Sequence, residues 1–529
     1  MIISSRMSLH KLAQSIIKVK YITIKMVGQN MIHKDLGKTV RFFCDNTSIP
    51  GFSWLAMKKL SCLERMFWII INTTILITTI VLLHYLWEDF METPTIVTLD
   101  SRNLPVHRIK FPAVAICSVN KISRKRATEF ATYLNQFTTK KRVSEVLSDI
   151  ELLGNLYDFN LKNAERLALV QDFFDDFDNY TSIDGPMRRM VQLAPKCDEI
   201  LKECRWDGSI YDCEDLFNFR ITYDGFCCVF NYMRKVSKRL RRATQMNKTA
   251  PKEPMRPNGA GVQRGLRLTL NNNVNDYFFS TFPAIGFTVQ IFYPNDFPDK
   301  MSGSLSEAFI NAGTEALISM EFSMTKTSEA VKILPIELRR CKFQSERKTI
   351  FGPYRYSDCL VECKIRSMQS LCNCVPFTVP VLEEDDGTDR LPLCTLIDIP
   401  CLHKYKAKWS RYYPNDPNGV ESDILRQEKH DSINCPECLP DCNSIAYQPS
   451  VISTSLHNES NTTHVNIFFN SAFGNAYKID VTQTWFEVIS NFGGFLSLLM
   501  GVSVISLIEV FILLFRLGKY CSNKITSTS

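Results

Sequence analysis

The sequence predicts a membrane α+β protein in which two transmembrane helices flank a large, disulfide-rich extracellular domain with a β-sheet core and peripheral helices. Three observations predict it. Residues 66–87 and 491–515 are apolar and long enough to cross a bilayer. Almost 400 residues separate them, and 16 of the 19 cysteines lie in that interval.

Taken in order, residues 1–65 form a basic segment with 11 Lys or Arg against 3 Asp or Glu. Lys11, Lys18 and Lys20 interrupt any early apolar core, so no cleaved signal peptide is expected. The first span, residues 66–87, would act as an uncleaved signal anchor, and its 22 residues make about 33 Å of helix. Residues 88–484 follow as the extracellular part. The second span covers residues 485–515, and the tail, residues 516–529, holds Arg516, Lys519 and Lys524 without an acidic residue. Basic flanks at both ends place both termini in the cytoplasm of a plasma-membrane protein. The net charge of +7 sits mainly in these tails, which argues against a nucleic-acid partner and leaves lipid as the surrounding phase.

An even number of cysteines outside the cell reads as a disulfide framework. Cys372-x-Cys374 and Cys435-x2-Cys438-x3-Cys442 would suggest zinc in a reducing compartment, but not here. Four glycosylation sequons, at Asn179, Asn247, Asn458 and Asn461, share the extracellular interval; those at Asn46 and Asn72 should stay empty. Apolar residues recur at helical spacing through residues 120–178, and a short helix is expected near residues 357–367. Residues 220–232 and 263–293 read as strands, with alternation in Gly-Leu-Arg-Leu-Thr-Leu-Asn at 265–271. Residues 234–258 are basic and Pro-containing and read as an exposed excursion. Within them Arg239-Leu-Arg241-Arg242 fits a furin-type cleavage pattern.

Residues 491–515 are unlike a plain anchor, because they hold three glycines, three serines and Glu509. Small residues allow close backbone approach, and an ionisable group at that depth points to function. From Trp485 to Phe515 is 31 residues, roughly 46 Å as a straight helix and too long for hydrocarbon alone. A break would resolve the length and turn backbone carbonyls toward a water-lined pathway.

The motifs resemble the degenerin/epithelial sodium channel family, most closely its insect pickpocket branch. The resemblance rests on Phe111-Pro-Ala-Val-Ala-Ile-Cys117 with Asn120, Gly225-Phe-Cys-Cys-Val-Phe-Asn231 and Gly286-Phe-Thr-Val-Gln-Ile. It rests also on Tyr356-Ser-Asp-Cys-Leu-Val-Glu-Cys363, Cys372-Asn-Cys374-Val-Pro, Cys438-Leu-Pro-Asp-Cys442 with Tyr447, and Gly501-Val-Ser503. Such a resemblance implies a trimeric channel, homomeric or heteromeric with related subunits, permeable to sodium and needing no cofactor. It implies that Gly501, Val502 and Ser503 form the selectivity belt, and that Ser490 is the position where a small side chain lets the channel close. Glu509 would be an acidic residue below the belt that concentrates cations, or else a structural partner of a neighbouring polar group.

It also implies the disulfides Cys341–Cys442, Cys359–Cys438, Cys363–Cys435, Cys372–Cys401, Cys374–Cys394, Cys117–Cys227 and Cys204–Cys213, leaving Cys197 with Cys228. One departure stands out: the family's gating motif ends His-Gly, whereas here Pro50 precedes Gly51. Proline fixes φ and cannot titrate. The expected function is a subunit of a sodium-selective, amiloride-sensitive, non-voltage-gated channel, or alternatively a non-conducting or regulatory member of a heteromer. An ATP-gated trimer would need phosphate-reading lysines. An ectoenzyme or two-span receptor is disfavoured because Gly501-Val-Ser503 is not a Gly-x-Ser-x-Gly elbow. No enzymatic activity is expected.

Overall fold

The computed structural model describes residues 41, 43–57, 60–137, 141–161, 163–177, 185–236, 238–244, 253–379, 392–413, 430–457 and 461–515. The chain divides into two compact units, residues 97–480 and a smaller unit formed by both chain ends.

In the larger unit, one sheet has eight strands. Their order is Thr95–Pro105, Phe473–Val481, Thr314–Thr327, Thr462–Phe469, Leu266–Asn271, Leu201–Trp206 and Ser209–Tyr211, with Ser444–Ser455 also paired to Thr314–Thr327. A second sheet orders Ser306–Asn311, Gly286–Phe292, Ala113–Ser118, Gly225–Phe230 and Phe217–Thr222. Strict alternation in Leu266–Asn271 buries Leu266, Leu268 and Leu270, as a strand with one core face requires. Gly286–Phe292 is buried throughout, because Phe287, Val289 and Ile291 enter the main core while Phe292 packs in a second apolar cluster on the opposite face.

The main core draws on both sheets, with Ile116, Val289 and Phe230 from one and Leu268, Ile318 and Phe469 from the other. Phe111 lies at its centre, with ring centroids of Trp206, Phe469 and Phe230 at 4.7, 5.5 and 6.0 Å. The motifs fix the chain around it. Asn231 Nδ2 donates to the Phe111 carbonyl at 2.6 Å, its Oδ1 accepts from Met255 N at 2.7 Å, and the Tyr447 hydroxyl donates to the Lys110 carbonyl at 2.8 Å.

A second core gathers helices Arg124–Phe137, Val143–Leu152, Ala164–Phe177 and Gly185–Leu193. Helical spacing within residues 120–178 therefore holds from Arg124 onward. Asn120–Ser123 instead pairs with Tyr277–Ser280, because the Asn120 side chain bonds the backbone of residues 276 and 278. The expected exposed excursion is corrected in part. Lys238–Thr244 is a helix, and Leu240 is buried in the helical core. Arg239-Leu-Arg241-Arg242 thus lies on helical backbone anchored by Leu240, not in the extended form a protease cleft requires. Residues 245–252 lie outside the described residues.

Eight disulfides join Cys117–Cys227, Cys197–Cys228, Cys204–Cys213, Cys341–Cys442, Cys359–Cys438, Cys363–Cys435, Cys372–Cys401 and Cys374–Cys394. Seven of these pairs are the ones the family resemblance implies, and Cys197–Cys228 is the pair it leaves over. Cys374, Cys394 and Asp398 lie close enough to share a metal, but the two sulfurs are bonded to each other. The helix expected near 357–367 extends over Tyr356–Cys372, stapled by Cys359, Cys363 and Cys372. Asn461 is exposed; Asn179, Asn247 and Asn458 lie outside the described residues.

The smaller unit is built on the helix Cys62–Glu92, longer at both ends than its uncharged stretch. A reciprocal cap starts it: Glu64 N donates to Ser61 Oγ at 3.4 Å and Ser61 N to Glu64 Oε2 at 2.9 Å. Its polar side chains turn back on the helix, with Thr73, Thr74, Thr79 and Asn72 donating to carbonyls four residues earlier at 2.7–2.9 Å. That satisfies their polar atoms without water. Phe67, Ile70, Ile77, Ile80 and Val81 are exposed on it, the all-round apolar surface of a helix made for a non-aqueous phase. It is the one helix in the described residues long and apolar enough by itself to cross a membrane.

Candidate functional site at the helix break

The helix Trp485–Met500 starts with its own cap, Thr484 N donating to Glu487 Oε2 at 2.7 Å. It ends where Gly501 adopts φ 60°, a left-handed conformation that costs other L residues on the order of 1 kcal/mol or more. Gly501 N donates to the Ser497 carbonyl at 3.0 Å and Val502 N to the Leu496 carbonyl at 3.2 Å, closing the turn. The chain resumes as Val504–Phe515, bent by 80° from the first helix. The two pieces together have the length and composition of a broken span or a re-entrant loop. Gly501, Val502 and Ser503 are therefore the break itself, with Gly501 and Ser503 exposed.

The N-terminal segment folds against this break. A methyl group on Gly501 would approach Pro50 Cγ to 2.6 Å, so the pyrrolidine ring occupies the space that a side chain there would need. Gly51 has φ 88° and is equally crowded: a Cβ would meet Asn72 Oδ1 at 2.6 Å. Phe43, Cys44 and Ile49 form a small apolar cluster with Val502, Val510 and Leu513.

Glu509 ties the polar side of this segment. The residue is only 4% exposed. Its Oε2 accepts from Ser48 N at 2.8 Å, Ser48 Oγ at 3.1 Å and Thr47 Oγ1 at 3.1 Å. Ser48 Oγ lies 2.7 Å from Ser506 Oγ, which is 3.2 Å from Ser503 Oγ. A hydroxyl chain thus runs from the Glu509 carboxylate to Ser503, and the carboxylate is a structural partner of the N-terminal segment within this chain.

Pro50, Gly51, Gly501, Val502, Ser503 and Glu509 are brought into one locale. Ser490 is exposed along Trp485–Met500 and takes no part in the contacts just described. Thr47, Ser48 and Ser506 were not singled out from sequence. Ser506 lies one helical turn before Glu509, so a shared face was readable; the pairing of Ser48 with Glu509, across 461 positions, had no sequence signal.

The family model described as amiloride-sensitive sodium channel matches residues 43–513. The chain is 26% identical to the sodium channel protein Nach of Drosophila ananassae, over 90% of this chain and 86% of that protein. It is 20% identical to pickpocket protein 28 of Drosophila melanogaster, over 92% and 80%. It is 22% identical to the human bile acid-sensitive ion channel, over 89% and 85%. The matched family is one of ion channels rather than enzymes, and the match runs from the N-terminal segment at Pro50 through the cysteine framework to the helix break. The chain belongs to the degenerin/epithelial sodium channel family and is similar to its insect pickpocket members.

Proposed function

We propose that this chain is a subunit of a sodium-selective, amiloride-sensitive, non-voltage-gated cation channel. It would sit in the plasma membrane as a trimer, with two spans per subunit and both termini cytoplasmic. The observation that supports it is the break at Gly501-Val502-Ser503 inside an apolar helix. Three copies of such a break would present carbonyls and the Ser503 hydroxyl to a permeating sodium ion in place of part of its water shell. The driving force is the ion gradient, so no cofactor is required.

Ser490 would act as the gate position, where bulk obstructs closure. Glu509 holds the N-terminal segment, so its contribution to conduction runs through the shape of the belt. The four sequons would be glycosylated on the extracellular side.

A second reading, that the chain serves as a non-conducting or regulatory subunit of a heteromeric channel, draws on Pro50. A ring wedged against Gly501 replaces a titratable side chain, and locks the break with a rigid, non-ionisable contact. The test is whole-cell current from Ser490→Val, with sodium replaced by potassium or a large organic cation and amiloride added. A constitutive, sodium-preferring, blockable current supports the first reading. Silence of the surface-expressed chain, with current restored by related subunits, supports the second.

A further inference from the structure

The larger unit contains a cavity of about 460 Å³, within the range of small-molecule sites. Its wall combines apolar side chains, among them Met187, Leu240, Phe297 and Phe351, with five cationic ones. Two of the cations are already neutralised. Arg355 pairs with Asp296, and Arg234 pairs with Asp358 while its Nε donates to the Asn295 carbonyl at 3.1 Å. Lys110, Arg220 and Lys235 have no carboxylate partner among the described residues. Lys110 Nζ only donates to the Tyr293 hydroxyl, at 3.1 Å.

Arg220 is the informative member. It sits on Phe217–Thr222, the last strand of the five-stranded sheet, and is 4% exposed. Its Nε and Nη2 are buried without any hydrogen-bond partner. A guanidinium stays charged, and burying one unpaired is strongly unfavourable. Nε–H and Nη2–H are the two donors on one edge of the guanidinium plane, at the spacing of the two oxygens of a carboxylate. Among the described residues, Asp358 on the wall is held by Arg234 and Asp296 by Arg355.

We propose that this cavity binds a small organic carboxylate, its two oxygens on the Nε/Nη2 edge of Arg220 and its apolar body against Leu240, Phe297 and Phe351. Lys235, exposed at the wall, adds field rather than contact and draws the anion in. The site depends on neither conduction nor ion selectivity, so it stands apart from the channel reading.

The test is isothermal titration of the full chain in lipid nanodiscs with 2-naphthoate, and with 2-naphthamide as the uncharged isostere, against empty nanodiscs. Naphthoate is expected to bind saturably at one site per chain, and naphthamide at least about tenfold more weakly, the worth of a charge-assisted bidentate contact. Arg220→Gln should remove that preference for the anion. Lys235→Gln, on the surface and neutral for folding, should weaken naphthoate severalfold and leave naphthamide unchanged. No saturable naphthoate binding, equal binding of acid and amide, or a preference untouched by Lys235→Gln and by any folded Arg220→Gln protein would overturn the proposal.

Discussion

Replacing Glu509 by Ala would free the N-terminal segment, and the size of the effect follows from its contacts. One carboxylate oxygen accepts three hydrogen bonds, from Ser48 N, Ser48 Oγ and Thr47 Oγ1. A bond to a charged group is worth about 1.5–3 kcal/mol net, but bonds to a single oxygen act as a unit and do not add. Treating the set as about 3 kcal/mol raises the population of the detached segment on the order of 100-fold. Cys44 reports that opening, being a free thiol only 8% exposed beneath Phe43 and Ile49, in the cluster that also contains Val502. In a Cys62→Ser, Cys521→Ser background it is the sole thiol outside the disulfide framework. Its labelling by a membrane-permeant maleimide should then accelerate by about two orders of magnitude in Glu509→Ala, when opening and closing are fast relative to labelling. Glu509→Gln, which keeps an acceptor oxygen, should give a smaller acceleration. An unchanged Cys44 rate in surface-delivered Glu509→Ala protein would refute the role assigned to this carboxylate.

Further outcomes follow from the same contacts. Gly501→Ala should push Pro50 away and accelerate Cys44 labelling, and Pro50→Gly should relieve part of that effect. A double-mutant coupling below about 0.5 kcal/mol would deny the Pro50–Gly501 contact. Burial raises the carboxyl of Asp358, and likewise that of Asp441, from its ordinary 3.8 to about 6. Between about pH 4 and pH 6 the native state therefore binds more protons than the unfolded one, and stability should fall as pH rises through that window. Thermal unfolding of the full chain should show this fall, and Asp358→Asn should flatten it. Removing Cys117–Cys227, which closes a loop of roughly 80 positions even with Cys197–Cys228 intact, should cost about 4.5 kcal/mol, whereas Cys204–Cys213, spanning 9, should cost about 2.7 kcal/mol. Denaturant midpoints of the paired Cys→Ser variants would test that order.

Much of the frame was legible because it rests on local or compositional physics. The apolar run at 66–87 reads as a span because hydrocarbon excludes charge, and the run at 485–515 reads as broken because glycine and serine interrupt it. Alternation at 265–271 located a core strand. Two expectations held only in part, for the same reason. Asn120–Ser123 carries no strand signal apart from its distant partner, Tyr277–Ser280, and Lys238–Thr244 looks like a solvated basic loop until Leu240 finds the helical core.

The sequence by itself determined where the chain is apolar and where it breaks, and its motifs assigned the family. Only the tertiary structure decided that Glu509 holds Ser48 and that Pro50 closes over Gly501. It alone decided that Arg220 is buried with two donors free beside a cavity. Hydropathy and spacing act over a few residues, but a hydrogen bond or an orphaned charge depends on what the folded chain brings within about 3 Å, and for Glu509 that partner comes from 461 positions away.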